Sequence, residues 1–320
     1  MRRERVSDDI YVFTSDLYAQ VTASAVITGE GIVVVDTLPF PEETRAMRDY
    51  LVRLGRGQLR YLINSHWHGD HTNGNYLFPE AQLLSHRLCA ETLLDTGVRT
   101  LDEAKESSPE LGEVQIRASD MVFDRGDLAL HLGGKSLQVI STPGHTLDSV
   151  VVYIKEDRVL LGADTVMPVP YFVWGDRAQF INSLQKIMEL NLECIVQGHG
   201  EVLLRGEIRE HLNSSIRYLQ AVFKKVARVI EQKQGPGVLR RIDIESCGKP
   251  RIPLNGLVQD LHQANLQTLY QQLVSQGSGT LGSAEDSNGN GEEERQQKGE
   301  RPERVRRDRR RPRTEGRTDL

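Results

Sequence analysis

The chain has 320 residues, 40 Lys and Arg against 45 Asp and Glu, a formal net charge of −5, and hydrophobic residues at 38%. That length suits one large domain or two small ones, and the mild acidity argues against a dedicated nucleic-acid binder, which carries a basic surplus. Three scattered cysteines, Cys89, Cys194 and Cys247, are too few for a disulfide scaffold or a thiolate-built zinc site. No apolar run approaches the roughly 20 residues of a membrane span. The opening MRRERVSDDIY lacks the apolar core of a signal peptide, so the expected location is cytoplasmic with no membrane partner.

In chain order, Tyr11–Phe13, Ala25–Ile27 and Ile32–Val35 read as strands, with a tight turn at Glu30-Gly31. Residues 42–54 have helical spacing, with Met47, Tyr50, Leu51 and Leu54 on one side. Tyr61–Ile63 reads as a short buried strand that leads into SHWHGDHTNGN. Further strands are expected at 128–132, 137–141, 149–154, 158–162 and 193–197. Helices are expected at 177–190, 207–232 and 254–274. The stripes of the last two, Ile208 to Ile230 and Leu257 to Leu273, read as core-facing and are given no chemical role. Strands in both halves with helices between them predict an α/β domain with a two-sheet core covered by helices.

Composition changes near Ser275. Residues 276–300 hold six acidic and two basic side chains, and residues 301–320 hold nine Arg and four acids. With almost no large apolar residues, this segment cannot bury enough surface to offset its ordering entropy. The expected division is therefore a folded domain over 1–275 and a disordered charged tail over 276–320. The Arg run reads as solvated, with weak contacts to anionic partners as its sharper reading.

Five of the nine histidines sit in turn-like sequence beside small residues. His66, His68 and His71 lie in HWHGDH, His145 in TPGHT and His199 in QGHGE. Asp70 and Asp164 occupy similar places, and each segment follows an apolar strand. In an extended loop, side chains two apart point the same way, so His66 and His68 can grip one ion. Gly69 is expected to permit an unusual turn that aims Asp70 and His71 at a neighbouring position. Seven ligands are too many for one tetrahedral ion and suit two, with Asp164 the natural bridge. Two such cations hold a hydroxide between them and stabilise a developing oxyanion. His86, His131, His211 and His262 lie in helical or strand patterns without partners and read as structural or exposed.

Over roughly residues 8–275 the sequence resembles the metallo-β-lactamase superfamily. The matching pieces are H-x-H-x-D-H at 66–71, Gly-His at 144–145, Gly-Ala-Asp at 162–164 and Gly-His-Gly at 198–200. The resemblance implies an αββα four-layer sandwich with a dinuclear site at one edge. It places His66, His68 and His145 on a first metal, Asp70, His71 and His199 on a second, and Asp164 between them. Asp36-Thr37 also matches, in support of the metal loop. Common zinc β-lactamases have Cys where Asp164 stands, so the resemblance points to the Asp-bridged branch of glyoxalase II-like and lactonase-like hydrolases. No glutathione-binding pattern of Arg and Lys is evident in the C-terminal helices, which argues against glyoxalase II itself.

The leading expectation is a metal-dependent hydrolase that attacks an ester, thioester, lactone or amide carbonyl of a small-molecule substrate. Two divalent ions are expected, Zn²⁺ first and Fe or Mn as alternatives, with Asp70 orienting the hydroxide or taking its proton. The alternative is a persulfide dioxygenase-like enzyme with one iron on His66, His145 and Asp164. A nuclease-like phosphodiesterase ranks third, on the Arg-rich tail alone. Tyr171 and Trp174 either line the pocket or pack the loop, and oligomeric state is open.

Overall fold

The computed structural model describes residues 1–281, with side chains through residue 276. Seven strands form the first sheet in sequence order: β1 (Arg2–Ser7), β2 (Ile10–Thr14), β3 (Thr22–Thr28), β4 (Gly31–Val35), β5 (Leu59–Ile63), β6 (Gln82–His86) and β7 (Met121–Phe123). The second sheet holds β8 (Leu128–Leu132), β9 (Lys135–Ser141), β10 (Val150–Ile154), β11 (Val159–Ala163), β12 (Cys194–Gln197) and β13 (Leu203–Leu204), in the order β13-β12-β11-β10-β9-β8. The helices are α1 (Pro41–Arg53), α2 (Gly69–Thr72), α3 (Arg87–Thr92), α4 (Val98–Ser107), α5 (Arg177–Met188), α6 (Arg205–Glu231) and α7 (Val258–Leu281).

Strand periodicity explains the layering, because successive side chains leave a strand on opposite faces. In β10, Val150, Val152 and Ile154 join Val26, Val33 and Val35 of the first sheet in an inter-sheet core. Val151 and Tyr153 of the same strand face the other way, against Phe180, Leu184, Leu212 and Leu219 of α5 and α6. The first sheet's outer face, with Ala25, Ile32 and Val34, packs on Met47 and Leu51 of α1. The result is helix, sheet, sheet, helix, the αββα sandwich. Both faces of β4, β10 and β11 are covered, which is why these strands read as nearly unbroken apolar runs.

The elements expected from the sequence are present within a few residues. The edge strand β1 was not expected: RRERVS carries no apolar alternation, and its side chains are largely exposed. Charge on an edge strand is the usual guard against pairing with another chain. Also unexpected is the helical excursion between β6 and β7, in which a π turn at Leu93–Gly97 joins α3 to α4. The last helix runs to Leu281, past the boundary expected after residue 275. The charged tail expected beyond it lies outside the described residues. No described helix is long and apolar enough to cross a membrane.

Candidate metal centre

The seven candidate ligands all leave strand ends on one edge of the sandwich. His66, His68, Asp70 and His71 follow β5, His145 follows β9, Asp164 follows β11 and His199 follows β12. Backbone bonds across the sheets hold this edge together: Val150 N–H donates to the Ser65 carbonyl and Thr22 N–H to the Gly198 carbonyl, both at 2.8 Å.

His66, His68, His145 and Asp164 form one convergent group, and Asp70, His71 and His199 a second. In the first group, His68 Nδ1 lies 3.0 Å from His66 Nε2 and 2.9 Å from His145 Nε2. Asp164 Oδ2 lies 3.3 Å from His145 Nε2 and 3.4 Å from His199 Nε2, so one carboxylate oxygen reaches both groups. Asp164 Oδ1 faces His71 Nε2 at 3.1 Å, yet neither atom makes a hydrogen bond. Asp70 Oδ2 closes the second group, 3.5 Å from His199 Nε2 and 3.9 Å from His71 Nε2.

The partners behind the rings fix which nitrogen carries the proton. His145 Nδ1 donates to the Tyr171 carbonyl at 2.7 Å, and His199 Nδ1 to the Ala19 carbonyl at 2.9 Å. His71 Nδ1 donates to Asp36 Oδ2 at 3.1 Å. Ser65 Oγ gives its proton to Asp36 Oδ2 at 2.6 Å and so accepts from His66 Nδ1 at 2.9 Å. Carbonyl and carboxylate oxygens only accept, so these four rings carry hydrogen on Nδ1 and present a bare Nε2 lone pair inward. His68 is reversed: Nδ1 points inward, and its buried Nε2 has no protein partner. A hydrogen on His68 Nδ1 could serve only one of the two Nε2 lone pairs that face it, those of His66 and His145, whereas a cation among the three would satisfy all of them. Around a tetrahedral zinc with Zn–N near 2.0–2.1 Å, donors stand about 3.3 Å apart, close to the spacings found. The residues therefore fit divalent metal binding.

Electrostatics divide the five rings into two sets, neutral imidazole being favoured in the first group and the protonated ring in the second. Burial, reinforced by neighbouring rings, pulls His66 and His68 well below the ordinary histidine range, and burial lowers His145. Burial also opposes charge on His71 and His199, but Asp164 and Asp70 together, with Asp36 at His71, outweigh it and raise both. Burial disfavours the Asp164 carboxylate, yet His199, His71 and His145 together hold it well below its usual range.

The local sequence explains the placement, with one correction. Gly69 does not adopt a left-handed turn. It opens the one-turn helix α2 after an extended His68 (φ −60°, ψ 144°), and that helical turn swings Asp70 and His71 toward the second group. The strained positions are elsewhere: Asp36 has φ +60° and Ala163, just before Asp164, φ +40°. Gly198 is required sterically, since a Cβ there would stand 2.1 Å from Asp164 Oδ1. Thr37 clamps the loop: its N–H and Oγ1 donate to the His71 carbonyl, and Oγ1 accepts from Gly74 N–H.

His86, His131, His211 and His262 stay outside both groups. His86 accepts from Leu88 N–H at the start of α3, and His262 bonds Tyr218 and the Ile242 carbonyl. The sequence reading missed Asn64 and Asn75, whose buried amides exchange two hydrogen bonds at 2.8 and 3.0 Å beneath the loop. An isolated Asn gives no long-range signal. It also missed Tyr18, whose phenol is pushed up to about 12 by the Asp70 charge and burial.

Above the centre lies a cavity of about 460 Å³ with Tyr18, His68, Asp70, Asp164 and His199 among its walls. Tyr171 and Trp174 line it, and Trp174 meets Trp67 edge to face at 5.5 Å. Leu257 and Leu261, expected in the core, form part of its wall, as do Leu93 and Leu101.

The sequence profile of the metallo-beta-lactamase superfamily matches residues 18–199, more than half of the chain. The chain belongs to this superfamily. Among curated members, it is 25% identical over 209 residues to the Beta-lactamase-like protein 2 homolog of Caenorhabditis elegans, covering 65% of this chain and 64% of that protein. It is 24% identical over 179 residues to the Lactamase-like protein aptB of Emericella nidulans, covering 56% and 50%. The chain thus spans half to somewhat under two thirds of these relatives' length. Among solved structures, a metallo-beta-lactamase from Pontibacter korlensis superposes with TM-score 0.55 at 21% identity, over 67% of this chain and 98% of that one. The sec-alkylsulfatase Pisa1 from Pseudomonas sp. superposes with TM-score 0.66 at 14% identity, over 84% and 50%. At these identities the likeness is one of fold.

Proposed function

We propose that the chain is a binuclear metal-dependent hydrolase of small acyl compounds, in the Asp-bridged branch of the superfamily. The observation that carries this reading is the second convergent group. Asp70, His71 and His199 draw together on the far side of Asp164, which a single-ion oxygenase built on His66, His145 and Asp164 does not need. His66, His68 and His145 would hold one divalent ion, Asp70, His71 and His199 the other, and Asp164 both. When bound, such a pair, Zn²⁺ first among the candidates, supplies an acidified water and polarises a carbonyl oxygen.

The chain's own residues do the remaining work. Asp70, a partly exposed carboxylate in the cavity wall, orients the attacking water and accepts its proton. The anchored rings keep their lone pairs inward without reorganisation, because each Nδ1–H is already bonded. Tyr18 keeps its phenolic proton at neutral pH and can donate to an oxygen in the cavity. A small-molecule substrate matches a cavity of this size.

Elemental analysis of the purified protein, with turnover of lactone, thioester and phosphodiester substrates and an oxygen electrode, tests this. Two divalent ions per chain and acyl hydrolysis without oxygen uptake are expected. One iron per chain with oxygen consumed in step with product would replace this reading with the oxygenase. Cleavage of the phosphodiester alone would replace it with a nuclease-like activity.

A further inference from the structure

The cavity walls above the metal centre differ from the site below them. They include Leu93, Leu101 and Ile116 of the segment between β6 and β7, together with Met167, Leu257 and Leu261. Among the described residues that line the cavity, none is Lys or Arg, although the chain has 40 of them. Carboxylate, phosphate and sulfate groups are ordinarily met by guanidinium or ammonium donors. An anion placed against these walls would meet only neutral donors such as Tyr18, Asn73, Thr100 and Ser108, with no side-chain countercharge, which is costly.

The apolar character continues outward. Trp174 lines the cavity and is itself more than half exposed, as are Leu17, Leu94 and Leu147 elsewhere on the surface. These three adjoin in sequence the wall residues Tyr18 and Leu93 and the ligand-flanking Thr146, which pairs with Trp174. Exposed apolar side chains scattered singly need no explanation; Trp174 differs in lining the cavity itself and in packing edge to face on Trp67.

From these two observations we infer that the substrate is a neutral ester or lactone with a bulky apolar acyl part, recognised by wall burial and not by charge. This rests on the hydrolase reading above and adds the substrate class to it. It separates the chain from any catalyst of substrates that bear a fixed anion beside the reacting group. Each methylene that enters the walls should raise kcat/KM by about fourfold until the cavity is full.

The test uses the full metal-loaded chain. Its substrates are γ-lactones with alkyl chains of two to eight carbons, and the same ring with a carboxylate ending a four-carbon chain. The corresponding lactams report binding by calorimetry, independent of turnover. A steady rise along the alkyl series is expected, with the carboxylated lactone at least about a hundredfold poorer than its neutral counterpart. The partly buried Leu257→Arg should narrow that gap selectively, and Leu261→Lys serves the same purpose if the first variant is poorly folded. Equal turnover of neutral and carboxylated lactones would overturn this inference and leave the hydrolase reading standing. If no lactone turns over but the neutral lactam alone binds, the ligand class stands and the hydrolase reading falls. Equal binding of both lactams, or of neither, overturns the ligand class.

Discussion

Asp36 Oδ2 accepts from His71 Nδ1 at 3.1 Å while the same carboxylate holds Ser65 through both its N–H and Oγ. One buried side chain at the end of β4 thus orients a ring of the second ligand group directly and His66 of the first through Ser65. Partners of this kind set the tautomer and aim of a ligand and typically account for 10–100-fold in metal affinity.

Asp36→Asn should therefore lower metal affinity by about 10–100-fold. Asn accepts the left-handed backbone that Asp36 adopts at φ +60°, so this variant removes charge without adding strain. Asp36→Ala should lose the same affinity and additional stability. Competitive titration against a chromophoric chelator, with melting curves of both variants, separates the effects. Unchanged affinity in Asp36→Asn would reduce Asp36 to a strand-end cap.

Gly198 lets the end of β12 press against the Asp164 loop. A Cβ there would lie 2.1 Å from Asp164 Oδ1 and 2.5 Å from the Ala163 carbonyl carbon, so backbone and carboxylate must both move. Gly198→Ala should cost about 1–3 kcal/mol and most of the bound metal. Gly206 in α6 has open space around its missing Cβ, and Gly206→Ala should gain up to about 1 kcal/mol. Chemical denaturation and metal content of the pair check both signs. A Gly198→Ala protein with full metal would show that the loop can yield.

The ligands were legible in the sequence because each lies in a short motif with its own local reason. His66 and His68 are two apart on extended chain, and Gly-His pairs follow apolar strands. The strands β4, β10 and β11 were legible because they are apolar over nearly their whole length, whereas the interior strand β6, QLLSH, was not expected. The cavity walls were not. An amphipathic stripe says which face of a helix is buried, not what it faces, so Leu257 and Leu261 read as core although they border the cavity. The excursion over residues 87–111 mixes α, π and 3₁₀ turns, and no single period announces it. Gly69 misled because glycine suggests a left-handed turn, while here its role is to start a helical one beside Asn73, whose Oδ1 would stand 3.0 Å from a Cβ.

On the proposed reading, Asp70 and Asp164 should fail differently. Asp70 touches only the second group, while Asp164 reaches both. Asp70→Asn should keep about one metal per chain and lose about 10²–10⁴ in rate, the worth of a positioned general base. Asp164→Ala should lose most of both metals. Chelation of the parent should lower its melting temperature, because metal that binds only the folded state adds about 2.7 kcal/mol at a hundredfold excess over Kd. Metal counts by mass spectrometry beside turnover decide it. An Asp164→Ala protein with two metals at full occupancy would end the bridging assignment.

Lys249 is buried and is not among the candidate ligands; it lines a second cavity with Gln197, Gly200 and His211. Its Nζ donates to Ser215 Oγ at 3.0 Å, and no ion pair to it is found among the described residues. Burial, with the Arg217 charge adding to it and Glu210 opposing, pulls its pKa down to about 8 from an ordinary 10.5. The unfolded chain therefore holds more protons between those two values, and stability contributed by this site rises with pH across that window. Below pH 8 both states are protonated and the full penalty applies, about 3 kcal/mol from the size of the shift. Lys249→Met should thus stabilise the protein at pH 7 by roughly 1–3 kcal/mol, after allowing for the hydrogen bond lost by Ser215. The gain should shrink toward zero as pH approaches 10.5. Urea denaturation of parent and variant at pH 7 and pH 10 measures the difference. Destabilisation at pH 7 would mean that a counter-charge compensates the ammonium and that the buried lysine is an asset to the fold.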